Sequence, residues 1–150
     1  MTTWLIITAE DLNDYLVAAQ VAAIRAMALA DGQADRFAKL MQDRSNYVRN
    51  RIAGRSELSA TAYSVPPELK TCTCYLIIEA LQVAFPVLKL TEDQKITISR
   101  AYKDLDIAGT ADFPISEPTD AIGTAGSVTS PGPAFYDRDR SATREAMDGI

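Results

Sequence analysis

Histidine is absent from this chain of 150 residues. That removes the commonest general base, the commonest metal ligand and every catalytic triad built on an imidazole. Cysteine is nearly as scarce, with Cys72 and Cys74 the only two. On a helix, residues two apart point about 200° around the axis from one another, so this pair can neither bond to each other nor share a metal there. Two reduced, buried thiols are the expectation. Long apolar runs are missing too: Tyr15–Ala30 is too short for a bilayer and contains Gln20 and Arg25. No basic segment precedes Trp4-Leu5-Ile6-Ile7, and Thr8-Ala9-Glu10-Asp11 interrupts it too early for a signal peptide. A soluble, intracellular chain with no membrane partner is expected.

What remains is ordinary globular stock, 47% apolar and 23% charged, with a net charge of −5. The length suits one modest domain. An acidic balance argues against a dedicated nucleic-acid binder, because phosphate affinity comes mostly from Lys and Arg clusters.

Periodicity predicts four helices joined by short loops and no sheet core. Thr8 followed by Asp11 resembles a capping box, so a first helix should open at Ala9 after an extended lead-in at Thr3–Ile7, continue along Leu12, Leu16, Val21, Ile24 and Ala28, and stop at Asp31-Gly32. Trp4 and Tyr15 would staple the lead-in to the bundle. The alanines around Val21 and Ile24 suggest a helix packed closely on several sides, within the core or between subunits. A second helix runs from about Asp35 to Ala53. A third, Glu68–Ala84, follows Pro66-Pro67 and is the most apolar, so it belongs at the centre. Thr91-Glu92-Asp93-Gln94 is another capping box, opening a fourth helix to about Ile107 with a stop at Gly109.

Beyond Gly109 the composition changes. Residues 109–134 hold four of the seven glycines and four of the seven prolines. Such a stretch offers little burial to offset its ordering entropy. The expected organisation is therefore a helical domain, residues 1–109, and an extended C-terminal arm, residues 110–150. Phe135, Tyr136, Met147 and Ile150 would serve as apolar anchors on a neighbouring surface, with Arg138, Arg140 and Arg144 as charge contacts. The alternative is a disordered terminus with incidental aromatics.

Between residues 36 and 55, six basic side chains meet one acid, Asp43. Arg44, Arg49, Arg51 and Arg55 could line a lumen through which DNA slides, held by shallow, sequence-independent attraction. They could equally pair with acids of a neighbouring subunit, such as Glu10, Asp14, Glu92 or Asp93, or face water. Ser64 and Thr71 have no basic partner to make a nucleophile, and Asp104 and Asp106 point to different faces of one helix. Read as a calcium loop from Asp31, the chain places Gln42 where a bidentate Glu is needed. No catalytic residue, metal or cofactor is expected.

Three stretches resemble the head–tail connector, or neck adaptor, proteins of tailed bacteriophages, in the Mu-like head-completion branch. The first is Ile7-Thr8-Ala9-Glu10-Asp11-Leu12 after its extended lead-in. The second joins Val65-Pro66-Pro67-Glu68-Leu69-Lys70 to Ile98-Ser99-Arg100-Ala101-Tyr102-Lys103-Asp104-Leu105 and Ile107-Ala108-Gly109. The third is the ending, Arg140-Ser141-Ala142-Thr143-Arg144-Glu145-Ala146-Met147-Asp148-Gly149-Ile150. The family often carries an Asp-rich loop before its second long helix, shortened here to Asp31–Asp35. The resemblance implies an all-α, four-helix bundle-like core with a long arm. It implies a structural subunit of the virion neck, assembled in the host cytoplasm as a ring, a dodecamer if it copies its portal. Its partners would be the portal protein, further copies of itself, a tail terminator or stopper protein, and DNA in transit, with no reaction catalysed. Other readings are a tail-completion or terminator subunit and a small helical nucleic-acid-binding protein.

Overall fold

The computed structural model describes residues 1–27, 35–110 and 112–122. The chain is mostly helical: α1 Ala18–Met27, α2 Arg36–Ile52, α3 Lys70–Ala84 and α4 Glu92–Thr110, with two short strands, β1 Leu5–Ile6 and β2 Ser64–Val65. Among the described residues, no helix is long and apolar enough to cross a membrane.

The bundle-like core is built by α2, α3 and α4, each packed on the other two. α3 lies at the centre because it is apolar on nearly every side. Cys72, Cys74, Leu76, Ile77, Ile78 and Leu81 are all buried along it, and the buried Thr73 hydroxyl is satisfied by donating to the Leu69 carbonyl at 2.7 Å. The Cys72 thiol donates to Ala101 O of α4 at 3.1 Å. Both thiols are free, and burial pushes each up to about 12. They are therefore inert near neutral pH.

Local capping signals act where the residues place them. Asp35 accepts from the Ala38 amide at 3.1 Å and starts α2. Thr91 and Gln94 exchange reciprocal bonds at 2.9 and 3.3 Å and start α4. Gly109 does not stop α4, which continues to Thr110. A Cβ there would stand 3.1 Å from Arg51 O, so the glycine's role is to let α2 approach closely.

The first expected helix is two pieces. Thr8 and Asp11 do form their reciprocal cap, with Thr8 N donating to Asp11 Oδ2 at 2.8 Å. The cap opens only a single 310 turn, Asp11–Asp14, and α1 begins separately at Ala18. The phase of the buried residues explains the break: Leu12 and Leu16 are four apart, but the next buried residue is Val21. A five-residue step falls about 140° off the face on an α-helix, so the chain must re-aim between them. Tyr15 sits at the break, its hydroxyl 3.1 Å from Thr71 Oγ1 and its ring edge-on to Tyr75 with centroids 5.0 Å apart. Lys70 pairs with Asp11 at 2.7 Å.

The lead-in is extended, as its sequence implies, and pairs antiparallel with β2 in the register Leu5↔Val65 and Ile6↔Ser64. Residues 112–122, expected to belong to the free arm, instead lie along the domain. Phe113 and Ile115 pack against the core. Thr2 bridges in parallel to Pro118, and Ser59 bridges antiparallel to Ala121. The helical unit thus extends to Ile122, and the rest of the expected arm, residues 123–150, lies outside the described residues.

Candidate functional site

Arg49 is the best-connected side chain of the basic stretch, and it points inward. It is 8% exposed. Nη1 donates to Ser64 O at 2.8 Å, to Ser64 Oγ at 3.1 Å and to Thr61 O at 3.2 Å, while Nη2 donates to Ser59 O at 2.8 Å. The guanidinium lies 5.8 Å from the Trp4 ring centroid. Burial pulls its pKa below the usual arginine range, and the nearby Asp120 carboxylate offsets part of that effect. Arg49 thereby organises the loop Ser59–Ser64, including Tyr63, whose φ of 61° is unusual for a bulky residue. Arg49 is therefore held within its own chain and not presented on an outer face. Met41, Ser45 and Arg49 are spaced four apart on one buried stripe of α2, a phase that signals the inward orientation from sequence alone.

Arg51 and Arg55 are also engaged within the chain. Arg51 pairs with Asp106 of α4 across an exposed surface. Arg55 Nη1 donates to Ala108 O at 2.8 Å, near the C-terminal end of α4, and Nη2 donates to Phe113 O at 3.4 Å. Such a cation is favourably placed near a helix's negative end. Arg44 is half-buried near Tyr102. The Tyr102 hydroxyl donates to Glu79, and burial together with that bond raises it to about 12. Instead of forming a continuous unpaired row, the basic stretch ties α2 to α4 and to Phe113 beyond it.

Residues 112–122 form a strap across the same end. Its backbone is held by Thr2 N to Glu117 O at 2.8 Å, Thr119 N to Thr2 O at 3.2 Å, Ala60 N to Asp120 O at 2.7 Å and Ile122 N to Leu58 O at 2.7 Å. Trp4 Nε1 donates to Ser116 O at 2.9 Å, and Ser116 donates to Glu68. Asp120 is the main polar fastener. Its carboxylate accepts from Ser59 Oγ at 2.7 Å, Thr61 Oγ1 at 2.7 Å and Thr61 N at 3.1 Å. Sequence reasoning missed Asp120, Ser59 and Thr61. The available hint was a Ser/Thr-rich loop with no acid of its own nearby beyond Glu57.

The sign of the Asp120 shift fixes a pH dependence. Hydrogen bonds from Thr61 and then Ser59 hold its carboxyl below the usual 3.8. The folded state therefore gains from the ionised form above the unfolded pKa and loses that gain as pH falls through the folded pKa. Asp11 carries the same sign: burial pulls it upward, but Lys70 and Thr8 together hold it below 3.8. In urea titrations from about pH 5 to about pH 2, the wild-type midpoint should fall more steeply than that of Asp120→Asn, the two converging at the acid end. Parallel curves would remove Asp120 from this role.

No group of three or more His, Cys, Asp or Glu residues placed to hold a metal occurs among the described residues. The expected anchors Phe135, Tyr136, Arg138, Arg140, Arg144, Met147 and Ile150 lie outside the described residues. No family model, curated protein or solved structure matches the chain.

Proposed function

We propose that the chain is a structural neck protein of a tailed-phage virion, forming a ring beneath the portal through which DNA passes on its way from head to tail. The reading rests on the three stretches that resemble neck adaptors. It is supported by the placement of the second of them: its two parts, the proline-started helix and the last helix, pack together as α3 and α4 at the centre of the domain. One observation bears most directly on the arm. The strap clamps the chain at Pro118–Ile122, so residues 123–150 leave from a fixed point beside Thr2 and Leu58. A docking segment rooted in this way loses less entropy on binding than one rooted in a loose tail. In this reading Phe135, Tyr136, Met147 and Ile150, with the nearby arginines, contact the portal.

The basic stretch supports the nucleic-acid-binding alternative less than its composition suggests, because Arg49, Arg51 and Arg55 already have partners within the chain. Deleting residues 135–150 should leave the far-ultraviolet circular dichroism of the domain intact while abolishing its incorporation into portal-containing, DNA-filled heads. Incorporation at the wild-type level would remove the anchor role, and cross-links to tail tube rather than portal would favour a tail-completion subunit.

A further inference from the structure

α1 is underpacked for its composition. It has ten residues and buries only Val21 and Ile24. Helices this short are marginal alone and draw most of their stability from a packed face. The outward side is nevertheless apolar and small: Ala18, Ala19, Ala22, Ala23 and Ala26 are exposed, Gln20 and Arg25 being the only polar residues of the helix. Larger apolar groups flank it, with Val17 65%, Met27 52% and Val87 64% exposed. A groove of about 380 Å³ runs between α1 and the preceding 310 turn, floored by Ala9, Ala18, Val21, Ala22 and Ala26. A second, of about 240 Å³, lies on the other side of the helix against Val87 and Leu88. Side chains this small let another helix approach closely.

The charges on this face indicate what covers it. The larger groove carries one acid, Glu10, and one base, Arg25, both exposed. Among the described residues neither takes part in an ion pair. A patch with one charge of each sign is complementary to itself under a two-fold rotation, because each acid can then face the other copy's base. We propose that this α1 face is the contact surface for a second copy of the chain, in a two-fold pair with α1 seated against α1. Such a contact closes on itself and does not propagate a ring, so it describes the chain before assembly. It stands or falls independently of portal binding.

Sedimentation velocity of the full chain over about two decades of concentration tests the pair. The wild type should pass from monomer to dimer. Glu10→Arg and Arg25→Glu should each weaken association roughly tenfold, since symmetry counts every like-charge contact twice. Melting temperatures should stay unchanged at concentrations where each protein is monomeric, and only the wild type's should rise with concentration. An equimolar mixture of the two variants restores both contacts and should associate at least as tightly as the wild type, an outcome that an intrachain role of either residue does not produce. Ala22→Glu, in the floor of the groove, should also remain monomeric. A wild type that stays monomeric throughout, a species heavier than a pair, or a mixture no tighter than its components would each overturn the proposal. So would a chain lacking residues 123–150 that pairs when the full chain does not, because the chain's own end would then be the occupant.

Discussion

Replacing Arg49 with methionine should destabilise the chain by about 3–4 kcal/mol, read as a drop in the urea midpoint at unchanged slope. Methionine fills much of the aliphatic stem's volume, so little of the loss comes from packing. Thr61 O keeps the Ser64 hydroxyl as a donor at 2.8 Å, so the loss comes from the carbonyls of Ser59 and Ser64, each of which Arg49 satisfies at 2.8 Å. Each is a polar group held near the Trp4 ring, where a missing bond exposes the full desolvation cost. Tyr63 adds to the effect, because its left-handed backbone persists only while the loop around it is over-determined. Lysine should recover part of the loss and no more. One ammonium cannot span Ser59 O and Ser64 O as the planar fork does. A loss below about 1 kcal/mol for the methionine variant would mean that water replaces the guanidinium without penalty.

Features set by neighbours in sequence were legible before the structure. The Thr91–Gln94 and Thr8–Asp11 pairs, the Asp35 cap and the central α3 derive from residue type at fixed short spacing. Legibility failed where the deciding partner lies far along the chain. Arg49 is bonded to residues 59–64, and a count of the basic residues around it points outward where the helical phase points inward. The break before α1 was hidden by alanines, which fit a helix on any face. The strap is hidden for a different reason. Its glycine and proline content signals poor burial, yet four backbone bonds to residues 2, 58 and 60 carry it, and main-chain pairing leaves no trace in side-chain chemistry. Phe113 and Ile115 were present in the stretch and were outweighed by its average composition.

The strap also carries the second large effect. A chain ending at Thr110 should be less stable than one ending at Ile122 by about 2–4 kcal/mol. The difference is the strap's own contribution. On the favourable side are the apolar cover from Phe113 and Ile115, the acceptor for Trp4 Nε1 and the donors' shared carboxylate at Asp120. Against them stands the ordering of residues 112–122, lessened because Pro114 and Pro118 restrict the unfolded chain. The shorter chain should also show a red-shifted Trp4 fluorescence maximum, since the indole loses both cover and hydrogen bond while Arg49 still stacks near it. Equal stability of the two chains would place the strap among incidental contacts. The domain would then end at α4, as composition alone suggested, and a fixed root for residues 123–150 would carry no energetic weight. A measurable gap instead makes Asp120 the natural point at which to loosen that root without touching the core, because its partners Ser59 and Thr61 belong to the loop that Arg49 holds from beneath.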